Sequence, residues 1–448
     1  MNDWFDAEQR VERAQQLSES HRWEEALVEI EAALEINPHN PSWHAQHGAL
    51  LDELGRTEEA VEAYQQSLVL EPGDRDVTVA LGVGLAKLQR YSRALAVFDG
   101  LAKLDPEFET AYCHRVAIYT EIGRHDQAEE MFYLAQELDP RCPHCFFHIG
   151  ASLATRGQSD RALYCWRRVL EIEPHYPGVR QSIAQAYRAQ GKFDLARQYL
   201  LAELREDPGD PELLFDLGEL AVDSGQADQA ASRFVQIIEL DPDNADAHFE
   251  LGTILLSQDK PGEALEHFQA VLSLVPQPDL EDLNLRLGEA LVLLGRYEEA
   301  RSHLEEAVKQ DEDSVEAVML LGNCLLALDK PDEASDRYRR VLALSARNPY
   351  AHHHLAICFF KKGKFQAGLR HCLEAIESKP DYLLAFQKAI LAHLHLGQFK
   401  DARVLIRRGQ QIVPDSPVFR ELSGQVWRFR VKHYVSKLLA PLKFLLRS

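Results

Sequence analysis

The sequence predicts an all-α fold, an α-solenoid of about twelve helix–turn–helix repeats followed by a C-terminal capping helix segment. Three observations predict it: prolines recur every 34 residues, small residues recur at two fixed places within that period, and the apolar residues keep helical spacing. The prolines that keep the period are Pro38, Pro72, Pro106, Pro140, Pro174, Pro208, Pro242 and Pro276. Repeats of this kind stack side by side and have no central core.

The first helix of each repeat carries its apolar side chains on one face. When Pro211 is position 1 of its repeat, positions 4, 7, 8 and 11 follow the helical spacing i, i+3, i+4, i+7, as Leu214, Leu217, Gly218 and Ala221. Position 15 is expected to end this helix, because glycine accepts the left-handed conformation that follows a helix end. Eight repeats have that glycine: Gly55, Gly123, Gly157, Gly191, Gly225, Gly295, Gly363 and Gly397.

The second helix is expected to approach the first through a small residue. Position 20 is alanine in eleven repeats and Gly368 in a twelfth, and a bulky side chain at position 24 fills the space beside it. The closing proline ends this helix because proline lacks the N–H donor and clashes with the preceding turn. Two such helices cannot bury their apolar faces alone, so each pair must stack on its neighbours.

This pattern resembles the tetratricopeptide repeat (TPR) family over about residues 7 to 414. The resemblance implies a right-handed superhelix of antiparallel helix pairs with a concave inner surface. The chain departs from the family pattern at Val116 and Ile390, which replace the small residue of position 8, and at Glu312 and Ala346, which replace the closing proline.

The repeats divide the chain into three parts. We expect repeats one to eight in residues 1–276, repeats nine to twelve in 281–414, and a capping helix with a basic amphipathic tail in 415–448. Two extra residues near 277–280 indicate a local change in the path of the array, with a domain boundary as the weaker alternative. Pro441 is expected to kink or end the tail helix.

The charge of the chain is unevenly distributed. The formal net charge is −22, but residues 398–448 hold 11 Lys and Arg against 3 Asp and Glu, a local +8 that leaves −30 for the rest. An acidic array repels the nucleic-acid backbone, which excludes nucleic acid as its partner. Basic or amphipathic protein segments are the expected partners.

Catalytic and export motifs are absent from the sequence. It contains no phosphate-binding glycine loop, no H-E-x-x-H and no G-x-S-x-G, so we predict a protein that is not an enzyme and needs no cofactor. The acidic N-terminus has no apolar run typical of a secretion signal, and no stretch is long enough to span a bilayer. With seven scattered cysteines, these features predict a cytoplasmic protein.

The partner-binding groove is predicted on positions 5, 9 and 12 of the first helices, beside the face that packs between helices. These positions are rich in large apolar side chains for a face open to solvent, which is typical of an interaction surface. The alternative is that neighbouring repeats bury some of them. The predicted groove residues are Phe147, Gln181, Phe215, Glu219, Phe249, Glu289, Met319, Asn323, His353 and Phe360.

Two local clusters offer other chemistry. Cys142-Pro143-His144-Cys145 has the spacing used by thiol oxidoreductases, and Cys113, His114 and His148 are candidates to extend it into a zinc site. No second CxxC completes the usual zinc pattern, so we predict no metal site and keep a thiol or metal-binding protein as an alternative. The second cluster is interpreted as solvated or half-packed histidines: His352, His353, His354, His371, His393 and His395.

The basic tail allows three interpretations. It caps the apolar end of the last repeat, as solenoids require. It lies on an anionic membrane surface through residues 428–447, because basic amphipathic helices do so. Or it docks into the acidic groove of its own or another copy. The sequence leaves all three open.

Overall fold

The structure is a computed structural model that describes residues 2–275, 282–414 and 416–445, with side chains for 5–275, 282–414 and 416–431. The chain forms two compact units, Met1–Leu220 and Ala221–Ser448. All regular structure in the described ranges is helical, as predicted.

The first unit contains twelve helices and the start of a thirteenth, which continues past Leu220. They are α1 Asn2–Glu19, α2 Trp23–Ile36, α3 Pro41–Glu53, α4 Thr57–Leu70, α5 Arg75–Lys87, α6 Tyr91–Leu104, α7 Glu109–Glu121, α8 His125–Leu138, α9 Pro143–Thr155, α10 Ser159–Ile172, α11 Val179–Ala189, α12 Phe193–Leu204 and α13 Pro211–Asp223.

The second unit contains the other helices of the described residues. They are α14 Ala227–Leu240, α15 Ala245–Ser257, α16 Pro261–Leu274, α17 Leu283–Leu293, α18 Tyr297–Gln310, α19 Val315–Ala327, α20 Pro331–Leu344, α21 Pro349–Lys361, α22 Phe365–Ser378, α23 Leu383–His395, α24 Phe399–Ile412 and α25 Pro417–Leu445.

Consecutive helices form the predicted pairs. Within each unit, first helices such as α7 and α21 pack along their own second helices, α8 and α22. They also contact the first helix of the next repeat, as α7 does with α9 and α21 does with α23. This second contact brings residues about one repeat apart in the sequence onto neighbouring helices, which makes a site between repeats feasible.

The turns between paired helices use the left-handed backbone conformation predicted at position 15. All eight glycines there have φ between 69 and 74°. Four turns reach the same region without glycine, at His21, Gln89, Asp259 and Asp329, with φ of 56 to 60°. The turn geometry therefore belongs to the repeat, and glycine only lowers its conformational cost.

Small residues at position 8 allow the close helix approach that the sequence predicts. A Cβ atom built on Gly82 would lie 2.4 Å from the Phe98 ring, and one on Gly322 would lie 2.7 Å from Tyr338. Both aromatic side chains are fully buried. Where Val116 takes this place, it is itself buried in the core of its unit.

The C-terminal segment differs in one respect from the prediction. Helix α25 continues past Pro441 to Leu445, so of the two expectations for Pro441 the end of the helix is wrong, and a kink stays a prediction. Its first turns place Phe419, Leu422 and Val426 in the apolar core formed with α22 to α24. Trp427, the residue after Val426, is 65% exposed. The extra residues at 277–280 lie outside the described residues, and the proposed domain limits stay predictions.

Candidate functional site

The predicted groove residues of the first unit are half-buried on successive first helices. Phe147 on α9 packs beside Tyr176, with ring centroids 5.2 Å apart. On the next helices polar contacts replace aromatic ones: Gln181 Nε2 donates to Asp216 Oδ2 over 3.4 Å. Phe215, on the same helix as Asp216, is half-buried as well. This face of the unit therefore presents both apolar and polar atoms.

The acidic groove residues are paired with arginines. Arg188 donates to Glu219 over 2.5 Å in the first unit, and both side chains are about one-third exposed. In the second unit Arg286 Nη1 lies 2.8 Å from Glu289. Such partly exposed pairs contribute little to stability. Their carboxylates remain reachable by a basic partner that competes with the arginine.

The second unit repeats the half-buried arrangement. Phe249 packs near Phe268, with centroids 5.9 Å apart, and Met319 is half-buried at the same position two repeats later. Asn323 accepts a hydrogen bond from the Tyr338 hydroxyl over 2.8 Å. Phe360 covers Gly368, whose Cβ would lie 2.4 Å from its ring. These side chains belong both to the packing between helices and to the surface.

His353 differs from the other predicted groove residues. It is only 3% exposed, because its ring packs between His354 and Tyr382, at centroid distances of 5.2 and 5.1 Å. Burial, with the neighbouring His354 and Lys388, lowers the pKa of His353 to about 4. In this conformation His353 is a packing residue, and the groove prediction rests on the other nine positions.

The Cys142–Cys145 motif forms part of a larger group. Cys113 Sγ lies 3.3 Å from Cys142 Sγ, which in turn lies 3.0 Å from Cys145 Sγ. Cys145 Sγ also lies 3.5 Å from Glu109 Oε1. All four donor atoms fall within 4.8 Å of one another. We call these four residues the Cys–Glu quartet.

Two neighbouring first helices build the Cys–Glu quartet. Glu109 begins α7, and Cys113 follows four residues later on the same face. Cys142 is the N-cap of α9, and its sulfur accepts the backbone N–H of Cys145 over 3.3 Å. Because α7 and α9 pack together, the two halves meet although up to 36 residues separate them.

The quartet's protons are coupled. Hydrogen bonds with Cys113 and then Cys145 lower the pKa of Cys142. The contact with Cys142 raises the pKa of Cys113, and the contacts with Cys113 and then Cys142 raise the pKa of Cys145. Burial, followed by the contact with Cys142, raises the pKa of Glu109 to about 7. The first proton therefore leaves from Cys142, where the helix N-terminus also favours a thiolate.

The histidines near the motif contact one another. The rings of His114, His144 and His148 pack edge to face in a row, with successive centroids 5.5 and 4.3 Å apart. Burial lowers the pKa of His114 to about 4 and that of His148 to about 3. In the part of the chain that the structure describes, the group of candidate metal ligands contains Glu109 and no histidine. Of the three candidates to extend the motif, Cys113 lies in this group, and His114 and His148 do not.

The second histidine cluster separates into pairs. His352 and His371 face each other with Nδ1 atoms 3.2 Å apart, and His354 stacks on Tyr338. His395 stacks on Phe365, away from those pairs. Throughout the described ranges, these histidines do not enter a group of three or more candidate ligands, which agrees with the interpretation as packed or solvated residues.

Glu109 is the member of the quartet that sequence reasoning missed. It stands 33 residues before the CxxC motif, and nothing in its local sequence marks it. The repeat period does contain a usable signal. Positions 1 and 5 of one repeat lie beside positions 34 and 3 that begin the next first helix, so a search for ligand types at those four places would have found it.

No helix within the described ranges has both the length and the apolar character needed to cross a bilayer.

Tetratricopeptide repeat models match most of the length of the array. The matched segments are residues 42–78, 109–142, 177–220, 215–278, 255–313 and 291–358. They lie in both units, and they agree with the 34-residue period and the helix pairs described above.

Curated relatives resemble part of this chain. The TPR repeat-containing thioredoxin TTL4 of Arabidopsis thaliana is 31% identical over 102 residues, which is 23% of this chain and 15% of the relative. Protein O-mannosyl-transferase TMTC1 of Homo sapiens is 27% identical over 153 residues, 32% of this chain and 17% of the relative. This chain thus spans less than a fifth of the length of either protein.

Solved structures resemble the helical repeats. YrrB, a TPR protein with an unusual peptide-binding site, aligns over 95% of its length and 42% of this chain, at 24% identity and a TM-score of 0.38. The Cut9–Hcn1 heterotetramer of the APC/C aligns over 95% of that chain and 92% of this one, at 13% identity and a TM-score of 0.46. At these values neither likeness bears on function.

Proposed function

Because this chain belongs to the tetratricopeptide repeat family, we propose that it is a non-enzymatic scaffold that binds extended or helical segments of partner proteins along its first helices. The observation that carries this proposal is a repetition. At position 5 of several first helices, half-buried apolar side chains recur, as Phe147 and Phe215 in the first unit and Phe249 and Met319 in the second. A row of this kind offers apolar anchors for a partner segment.

Charge supports a partner with basic or amphipathic character. The chain outside residues 398–448 carries −30, and Glu219 and Glu289 lie among the apolar positions. Apolar anchors would supply most of the affinity, whereas the acidic surroundings would favour basic segments and fix their direction. The same charge disfavours nucleic acid as a partner.

The names of the curated relatives do not transfer an activity. Thioredoxin and mannosyl-transferase describe those whole proteins, of which this chain spans 15% and 17%. The helical-repeat fold is generally used for binding, and the proposal includes no catalytic step. A cytoplasmic location stays a prediction.

The test is a quantitative comparison of partners captured from the native host. The full chain, Phe215→Asp and Phe249→Asp serve as baits, each checked by circular dichroism for an intact helical fold. Matched controls place the same charge on exposed apolar positions of second helices, at Val69 (73% exposed) and Val404 (62% exposed). Partners identified with the full chain are then measured again as purified segments.

The proposal expects the groove variants to lose the same partners, with affinity reduced at least tenfold, while both controls retain them. A buried apolar anchor contributes about 1.4 kcal/mol or more to binding, which corresponds to that factor. If both groove variants keep every partner at unchanged affinity, the first-helix row is not the binding surface.

One observation favours attachment to a membrane surface through the tail as a second candidate function. Trp427 is 65% exposed next to Arg428 and Arg430, an arrangement typical of helices that lie at a membrane surface. Most of the predicted tail, residues 428–447, lies outside the described side chains. Flotation with anionic and neutral vesicles tests this candidate: chain lacking 428–447 should stop floating with anionic vesicles, and unchanged flotation would reject it.

A further inference from the structure

We propose that the Cys–Glu quartet is a four-coordinate zinc site that joins two successive repeats of the first unit, with Cys113, Cys142 and Cys145 as thiolate ligands and Glu109 as the fourth. The proposal is independent of the partner-binding function. It rests on the positions of four donor atoms, on their chemical types and on the place that Cys142 occupies at the start of α9.

The donor atoms have the spacing of a compact metal site. A tetrahedral zinc ion with Zn–S distances of about 2.3 Å holds its sulfur atoms about 3.8 Å apart. The sulfur–sulfur distances of 3.0 and 3.3 Å are somewhat shorter than that value, the distance from Cys145 Sγ to Glu109 Oε1 is 3.5 Å, and all four donor atoms lie within 4.8 Å of one another. Small rotations of side chains would open the group to the full tetrahedral size.

The composition of the group selects a soft or borderline cation. Three thiolates favour zinc over magnesium or calcium, which prefer oxygen ligands. Cys113, Cys142 and Cys145 are at most 7% exposed, whereas Glu109 is half-buried and marks the side from which an ion can enter. Four protein ligands leave no open coordination position, so the geometry points to a structural site and not to a catalytic one.

Capping alone does not explain Cys142. Other first helices of this chain begin with a side-chain N-cap that accepts the amide three residues on; these caps are Asn40, Asp74, Asn244, Ser314 and Asn348. Cys142 takes the same place, although sulfur is a weak acceptor and asparagine, aspartate and serine are the preferred caps. Cysteine at this position caps the helix less strongly than asparagine would, but it places a sulfur atom next to Cys113 and Cys145.

A bound ion would act as a cross-link. Glu109 and Cys113 belong to α7, while Cys142 and Cys145 begin α9, so coordination would tie the first helices of adjacent repeats. In an array where each repeat is held only by its neighbours, such a link restrains their relative motion.

The test measures metal on the full chain. Purified protein is reduced, incubated with one equivalent of Zn²⁺ per chain and separated from free metal by gel filtration. Its metal content is then measured by mass spectrometry. The variants are Cys113→Ser, the double variant Cys142→Ser/Cys145→Ser, and Glu109→Gln. Cys165→Ser is the matched control, because Cys165 is a buried cysteine of the same unit that lies outside the quartet.

The proposal expects about one zinc per chain in the wild type and in Cys165→Ser, and less than a tenth of that in the double variant. Glu109→Gln should bind at least tenfold more weakly, since it loses a charged ligand. Titration of the wild type with Co²⁺ gives a test that needs no variant, because thiolate-to-cobalt charge-transfer absorption should appear. In Cys113→Ser the same absorption should be weaker.

Three results would overturn the assignment. The first is a wild-type chain that retains no zinc and shows no cobalt–thiolate absorption under reducing conditions. The second is a double variant that keeps its metal. The third is a Cys142–Cys145 disulfide as the main species in protein alkylated directly in cells, which would assign the motif to thiol redox chemistry.

Discussion

The same four repeat positions carry different side chains in the two units. In the first unit they hold the Cys–Glu quartet. The equivalent positions in the second unit lie 240 residues later, which is seven periods plus the two-residue insertion, and we call this group the histidine site: Pro349, His353, Tyr382 and Ala385. Around both, the scaffold is alike. His114 stacks on Phe98 at 5.0 Å, and His354 stacks on Tyr338 at 5.4 Å, both with planes 19° apart.

The difference lies in what fills the contact between successive first helices. Three thiols and a carboxylate converge in the quartet, whereas in the histidine site the rings of His353 and Tyr382 pack against each other with centroids 5.1 Å apart. The packing of successive first helices fixes where four side chains come together in each repeat. The residue types at these four positions then determine whether metal-ligating atoms are present. A cysteine that is merely buried behaves differently again, since burial raises the pKa of Cys372 to about 12.

The largest expected effect tests whether the scaffold is common to both places. Phe98→Ala and Tyr338→Ala should each lower the free energy of unfolding of their repeats by about 4 kcal/mol, because each ring is fully buried against a glycine of the partner helix. Urea denaturation followed by circular dichroism measures this. Phe98→Leu and Tyr338→Phe are the conservative controls, with losses of about 1 kcal/mol. Costs that differ by more than twofold between the two places would break the comparison.

A smaller effect concerns the histidine site alone. The folded pKa of His353, about 4, lies below its unfolded value of about 6.5, so the unfolded chain binds more protons between these pH values. The contribution of His353 to stability is therefore fully present above pH 6.5 and is lost as the pH drops towards 4. His353→Leu removes this contribution to the pH dependence.

The difference in free energy of unfolding between wild type and His353→Leu should change by on the order of 2 kcal/mol between pH 7 and pH 4.5. Denaturation curves at both pH values measure it. Cys372→Ser is the control and should show no such change between pH 7 and pH 4.5, because burial raises the pKa of Cys372 to about 12 and its thiol stays uncharged in this range. A pH-independent difference for His353→Leu would show that His353 is not buried as described.

The smallest effect concerns the helix caps. In metal-free protein, Cys142→Asn should stabilise α9 by up to about 1 kcal/mol, because asparagine is a preferred N-cap, while Asn348→Cys should destabilise α21 by a similar amount. Denaturation in the presence of a chelator measures both. If Cys142→Asn destabilises the metal-free chain, the cysteine is there for packing, and the contrast between the two caps loses its meaning.

The sequence by itself determined the repeat, because the period acts locally. Prolines end the second helices, position 15 adopts positive φ, and Gly82 or Gly322 admits the ring sixteen residues later. Each of these features depends on residues within one repeat and on steric limits of the backbone, so spacing alone was enough to predict the helix pairs.

Only the tertiary structure decided which distant side chains meet. Glu109 and Cys113 reach the CxxC motif because α7 packs on α9, and His353 is buried because Tyr382 begins the next first helix. No local sequence pattern predicts the assembly of the quartet or the burial of His353, because each depends on the directions of side chains from two packed helices. Helix α25 also continues past Pro441, so the local signal of a single proline did not locate the end of that helix.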